Sequence, residues 1–419
     1  MARYATYLLS VSLLVMAAPV SAKSLKDAIR DGINYNTSGK IADEQSNAAK
    51  YKVDQAYASY WPQVNLIGKT KTNDRGYGAS YSPDDDEGSM LTFAFQYTLI
   101  DLTRDRQIAA AHNAYNAAKR NAKIQQEKLA FDIVKAYLDV WRKQKIKAVT
   151  GDYANSIEKL ANKVQARVNG GLSEASDSVR AMAALDEART RLEDADKALE
   201  DAKLTLSSII GQSYTVNEKF DENKKPIIPK LPATPELYEN SFVIKMLSEK
   251  AKQKKEEYEF AKKDPFPKLQ LLGNYKERFE DSDAPSSQFF LQFSMPLMDG
   301  GLSRGKTNEA RSMKNISEYQ LQSGVRDLNK NFSILKMTLD KESKIWELNR
   351  ASIVKAAKTL DLYDKEFVMG NRPLSDIISA QRDLYTAKIS LLNSKYNFNS
   401  ILSALYNLYG DTASSIKFM

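Results

Sequence analysis

Two stretches of this chain are too long and too free of helix breakers to belong to a compact globule. From Leu102 to about Val168, and again from Leu302 to about Val368, roughly 67 residues run without a proline, a helical rod of about 100 Å. The flanking helices, about Leu25 to Tyr60 with Ser173 to Ile210, and about Glu236 to Lys262 with Ser375 to Tyr409, sum to nearly the same length. Each pair can therefore stack end to end against a long helix. Only 17 glycines and 12 prolines occur in 419 residues, too few for a sandwich or propeller that turns every ten or so residues.

The chain is also written twice. Gly171-Leu172-Ser173-Glu174-Ala175-Ser176-Asp177 and Gly370-Asn371-Arg372-Pro373-Leu374-Ser375-Asp376 each place an aspartate six residues after a glycine, at an offset of 199 residues. The same offset superposes Leu185, Leu192, Leu199 and Leu206, with their alanines, on Leu384, Leu391, Phe398 and Leu405, and Gly211 on Gly410. Seven-residue spacing of large and small apolar residues is a coiled-coil seam. Four prolines within 224–235 mark an extended linker between the copies. Thr234 and Pro235 read as N-cap and first residue of the next helix, and Ser24 with Asp27 as the cap of the first. The expected layout is a leader over 1–22, a first repeat over 23–223, the linker, a second repeat over 236–410, and a tail over 411–419.

Within each repeat two short segments alternate with period two. Val64, Leu66 and Gly68 alternate with polar residues, followed by Leu91, Phe93, Phe95, Tyr97 and Leu99, giving a hairpin over about 63–99. Leu269, Leu271, Gly273 and Tyr275, then Phe289, Leu291, Phe293, Met295 and Leu297, give a second over about 268–297. Strands of about ten residues with one aromatic face and one polar face fit a transmembrane barrel, and equally a half-buried soluble hairpin. Recurrence in both repeats, beside rods that offer nothing to bury a strand face, favours the membrane. Lipid tolerates no open sheet edge and four strands do not close a water-filled barrel, so the chain must oligomerise. Three copies supply twelve strands.

Arg3, an apolar run from Tyr7 to Ala18, and Val20-Ser21-Ala22 have the layout of an export signal cleaved after Ala22. With no cysteine and one histidine, His112, the chain lacks the means for a zinc site, a thiolate nucleophile or a disulfide framework. No catalytic, cofactor or metal residues are expected, and His112 reads as a surface or interface residue. The net charge of +8 is dispersed, which argues against a nucleic-acid partner. Asp84-Asp85-Asp86-Glu87 reads as a solvated loop, and Lys69, Lys71, Lys276 and Arg278 as residues of a barrel interior or its rim.

Taken together, the duplicated layout, Trp61-Pro62 and Phe266-Pro267 before each hairpin, Pro296-Leu297-Met298-Asp299-Gly300-Gly301 leading into the second long helix, and the two Gly-x5-Asp tips resemble the TolC-type outer-membrane efflux and secretion ducts. The resemblance covers about Leu25 to Gly410. It implies a mainly α fold with a membrane β-barrel: a homotrimer with a 12-stranded barrel in the outer membrane of a Gram-negative bacterium and a coiled-coil α-barrel in the periplasm. It further implies a periplasmic adaptor and an inner-membrane ABC or RND-type transporter as partners, and a channel for type I protein secretion or multidrug efflux with no enzymatic activity. Leu91, Phe93, Phe95, Tyr97, Phe289, Leu291 and Phe293 would face lipid. A periplasmic coiled-coil adaptor without a pore is the competing reading, and the duplicated hairpins argue against it.

In such ducts the helix tips close the periplasmic entrance. By position, Asp376 would join a ring of three carboxylates, and Arg372 would tie to Asp177 and Ser176. Phe367 stands where related ducts carry a tyrosine, and Ser379 where they carry a second acid. Gly170, Gly171, Leu172, Gly370 and Asn371 would meet the adaptor. Asp177 and Asp376 also lie in a first helical turn, where the dipole favours a carboxylate by ~0.3 to 1 kcal/mol, and Ser173 and Ser375 read as N-caps.

Overall fold

The computed structural model describes residues 24–70, 90–214, 216, 220–231, 234–279 and 286–419. The leader, Lys71 and the Asp84–Glu87 run lie outside them. The first repeat comprises α1 (Leu25–Tyr35), α2 (Thr37–Tyr57), a 3₁₀ turn (Ala58–Tyr60), β1 (Gln63–Lys69), β2 (Met90–Ile100), α3 (Arg104–Asn169) and α4 (Ala175–Ile210). The second comprises α5 (Thr234–Asn240), α6 (Phe242–Lys263), β3 (Lys268–Arg278), β4 (Ser286–Ser294), α7 (Leu302–Val368) and α8 (Leu374–Leu408), and a 3₁₀ turn (Thr412–Phe418) ends the chain. No described helix is long and apolar enough to cross a membrane.

Several boundaries differ from expectation, each for a local reason. The first helix breaks at Asn36, whose extended backbone lets its side chain accept from Ser38 N at 2.9 Å and cap α2. Its counterpart breaks at Ser241. Helix α5 already begins at Thr234, one residue before the proline. Strand β4 stops at Ser294, because Pro296 has no N–H to give a ladder. Ser24 does cap α1, in a reciprocal box with Asp27. Ser173 and Ser375 do not cap: Glu174 and Pro373 occupy those positions, and neither makes a side-chain cap bond.

All four strands form one antiparallel sheet, ordered β1-β2-β3-β4, so the two hairpins are joined through β2 and β3. Its register aligns one apolar face. Val64 pairs with Phe95 and Leu66 with Phe93; Phe93 pairs with Tyr275 and Tyr97 with Leu271; Leu271 pairs with Leu291 and Leu269 with Phe293. That face is uncovered, with Phe289 71% and Phe293 67% exposed. The β2–β3 register shifts by one residue between Thr98 and Ile100, at the helical end of the sheet.

Below the sheet, α3 pairs with α4 and α7 with α8, and α8 also packs on α3. Leu185, Leu199, Leu206, Leu391, Phe398 and Leu405 are all buried along these seams. The end of the first repeat and the start of the linker are fastened to the bundle. Phe220 sets its edge against Trp141 at 5.6 Å, Lys145 reaches Glu222 at 3.1 Å, and Trp346 Nε1 donates to Glu222 O at 3.1 Å. Lys395, only 2% exposed, donates to Lys224 O at 3.3 Å. The segment thus crosses α3, α7 and α8 as a strap.

Burial pushes the Lys395 ammonium below the usual lysine range, against the pull of Asp221 and Glu222. Its unfolded form then holds the proton more tightly, so this site is least favourable below the folded pKa and stability rises as pH climbs toward the ordinary lysine value. Lys395→Met is expected to stabilise the protein by ~1 kcal/mol at neutral pH. It should also remove the gain seen at about pH 9.5. Thermal unfolding of detergent-purified protein at both pH values checks this; an unaltered pH dependence would show that Lys395 is not the group responsible.

Candidate functional site

At the ends of the rods furthest from the sheet, both helical hairpins turn in the same way. In the first, Leu172 N donates to Arg167 O at 2.8 Å and Gly171 N to Val168 O at 3.0 Å; in the second, Asn371 N donates to Glu366 O and Gly370 N to Phe367 O, both at 3.0 Å. This pair of bonds needs a left-handed residue, and Gly171 (φ 72°) and Gly370 (φ 81°) supply it. The turns leave an apolar fringe in solvent, with Leu172 71% and Met369 66% exposed. Gly170, Gly171, Gly370 and Asn371 are exposed beside it.

Behind the turns lies a small core of Val164, Phe367, Leu374 and Ile377 with the α4 residues Ala181 and Leu185. Phe367 belongs to this core, at 5% exposure.

Arg372 meets neither Asp177 nor Ser176 within the chain. Its Nε donates to Glu366 Oε2 at 2.8 Å, its Nη1 to Asp376 Oδ2 at 3.2 Å, and its plane lies 4.1 Å from the Tyr363 ring centroid. These partners, Glu366 first, hold the guanidinium above its usual pKa, so it keeps its charge throughout the working range. Ser176 donates to Glu174 Oε2 at 3.1 Å, and the Asp177 amide bonds Glu174 O at 3.0 Å. Asp376 occupies the first turn of α8, and Ser379 is exposed three residues on, along the same side. The structure therefore brings Arg372 and Asp376 together, adds Glu366, and leaves Asp177 and Ser176 at the other tip.

The residue that joins the two tips is Arg167. Its Nη1 donates to Phe367 O at 3.4 Å and Val368 O at 3.3 Å, its Nη2 to Leu172 O at 3.4 Å, and its Nε to Ser173 Oγ at 3.2 Å. One cation thus serves the last carbonyls of α7 and its own turn at once, a favourable place for positive charge at a helix C-terminus. Lys163 reinforces the link through Asp364 at 2.9 Å. The repeat offset contained this signal: Arg167 aligns with Glu366, and Ser173 with Arg372. Each tip is stapled between the position four before its glycine and the position two after, with the donor on opposite sides.

The outer membrane efflux protein family model matches residues 41–212 and 235–411. Outer membrane protein TolC of Escherichia coli (strain K12) is 21% identical over 412 residues, spanning 93% of this chain and 83% of that protein. Outer membrane protein TolC of Vibrio cholerae is 22% identical over 413 residues, spanning 94% and 92%. Among solved structures, the outer membrane protein VceC of Vibrio cholerae superposes with a TM-score of 0.78 at 17% identity, over 92% of this chain and 96% of that one. The MtrE outer membrane channel of Neisseria gonorrhoeae, in its open state, gives 0.79 at 18% over 93% and 89%. CusC gives 0.81 at 14% over 92% of each chain.

Replacing Arg167 by Met keeps the aliphatic stem and removes every donor. Amide exchange at Gly370 and Asn371 should then quicken about tenfold, equivalent to ~1.4 kcal/mol, a modest value for a partly solvated charged donor. The middle of α3 should be unchanged. Equal exchange in both proteins would mean that Arg167 merely rests on the tip.

Proposed function

Because this chain belongs to the outer membrane efflux protein family, we propose that three copies form a passive exit duct through the outer membrane and periplasm. The observation that carries this reading is the four-stranded sheet, which among the described residues has an uncovered apolar face and two unpaired edges, β1 and β4. Pairing β4 of one copy with β1 of the next satisfies both edges, and three copies close twelve strands. At a strand spacing of ~4.8 Å and a tilt of ~40°, the backbone radius is about 12 Å. Leu91, Phe93, Phe95, Tyr97, Phe289, Leu291 and Phe293 then face lipid.

The helices support the same ring. α3 lies between α4 and α8, whereas among the described residues no comparable helix covers the equivalent side of α7. By internal equivalence that place belongs to α4 of the next copy. Leu204 on α4 is 68% exposed where its counterpart Ser403 is fully buried; Met337 on α7 is 56% exposed where Leu138 is fully buried. Charge agrees: α4 carries eight acids and five bases, α7 nine acids and thirteen bases. Arg142 Nη1 lies 3.4 Å from Asn393 Oδ1 within the chain, and the equivalent pair between copies is Lys341 with Asp194.

In this arrangement the six tips close the periplasmic end. Asp376 of three copies forms a carboxylate ring, poised by Arg372 and Glu366, and the Arg167 and Lys163 contacts hold the coils of each chain together. Opening swings α7 and α8 away from α3 and α4 and breaks those contacts. A periplasmic adaptor engages the exposed fringe around Leu172 and Asn371, and an inner-membrane ABC or RND-type transporter supplies the energy for type I secretion, multidrug efflux or both.

The natural chain has no cysteine, so Asp194→Cys/Lys341→Cys with a short bis-maleimide should give a covalent ladder ending at the trimer, which neither single variant yields. In planar bilayers the mature protein should give stable conductance whose cation preference falls in Asp376→Ala. Absence of conductance from cross-linkable, folded protein would reject the duct in favour of a pore-free adaptor. Unchanged selectivity would reduce Asp376 to a helix-end carboxylate.

A further inference from the structure

The polar face of the sheet has a charge asymmetry that the duct reading does not use. Residues paired across the ladders share a face, and one row runs Lys69, Met90, Arg278; the next row on that face runs Ile67, Thr92, Lys276, Ser286. Further along come Asn65, Ala94, Asn274 and Gln288. No carboxylate belongs to this face among the described strand residues. Glu277, the one acid in the strands, pairs with Leu91 on the opposite face, where Tyr275 donates to it at 2.8 Å. At the helical end, Lys268 is countered by Asp264 at 3.3 Å and Asp101 at 3.9 Å. Lys69 and Lys276 have no acidic partner among the described residues.

We propose that Lys69 and Lys276 form an anion-binding wall inside the β-barrel, fitted to solutes rich in phosphate or carboxylate groups. The inference rests on the duct reading, which turns the polar face toward water. Lys69 and Lys276 stand on strands β1 and β3, two strand spacings (~10 Å) and one alternate residue pair (~7 Å) apart, or about 12 Å. Two per chain become six in the trimer, in two adjacent rows. With a backbone radius of about 12 Å and a lysine reach of about 6 Å, each ammonium comes within roughly one Debye length of the barrel axis at physiological salt. No solute passes beyond their field, and a multivalent anion spans several of them at once. Asn274 and Gln288 beside them offer side-chain N–H donors that orient bound oxygens. The two ends of the lumen thereby carry opposite signs: carboxylates at the tips, ammoniums at the barrel.

Inorganic tripolyphosphate added to the barrel side of single ducts in a planar bilayer tests this. Block of the current is expected, with a half-blocking concentration that climbs steeply with KCl. It should rise at least about tenfold in Lys69→Gln/Lys276→Gln, about 1.4 kcal/mol. Lys69→Glu/Lys276→Glu should abolish block by tripolyphosphate and introduce block by spermine. Assembly of each variant is verified by the Asp194–Lys341 cross-link in the same background. A natural duct that conducts but ignores tripolyphosphate, or is blocked equally in the glutamine variant, overturns the anion wall and leaves the duct standing. A natural chain that never conducts overturns both.

Discussion

Everything above the helices depends on two rows of backbone N–H and C=O groups that one chain cannot satisfy. The sheet ends at β1 on one side and β4 on the other, and in hydrocarbon each unpaired group costs several kcal/mol. In the proposed trimer, closure across copies removes that cost and sets the radius of the opening and the ring of helices beneath. Oligomerisation is in this sense the completion of the secondary structure.

Duplication makes such closure economical. In the proposed trimer, the β2–β3 junction inside one chain is the pattern for β4–β1 between chains, and the α3–α8 contact the pattern for α7 with α4 of the next copy. The repeats then diverge where their environments differ. At one tip a cation before the glycine donates to a serine after it; at the other a carboxylate before the glycine accepts from an arginine after it. The same backbone turn thus carries opposite polarity, so one tip can reach over and hold the last carbonyls of the other.

Much of this was legible beforehand. Helix lengths followed from the missing prolines, strand faces from strict alternation, and the turn glycines from their places after two apolar seams. The breaks at Asn36 and Ser241 were not, because a good cap sits in a helical pattern at little cost until its backbone turns outward. Nor was the strap over 220–231 legible: four prolines announce an extended chain but say nothing of Phe220 seating beside Trp141 or of Lys395 donating to Lys224 O. The within-chain partner of Arg372, Glu366, lies six residues upstream in its own turn, a pairing that periodicity does not single out.

Periodicity and its punctuation are local properties, and the sequence by itself determined whatever is local: two rods, four amphipathic strands, two equivalent halves and the glycine turns that reverse each rod. Partner choice is not local. That Arg167 reaches the last carbonyls of α7, that Lys163 meets Asp364, and that Phe367 is buried depend on how the α3–α4 and α7–α8 hairpins meet, at a sequence separation of about two hundred residues. Only the tertiary structure decided these, because a guanidinium or an aromatic ring has many acceptable partners and distance selects among them.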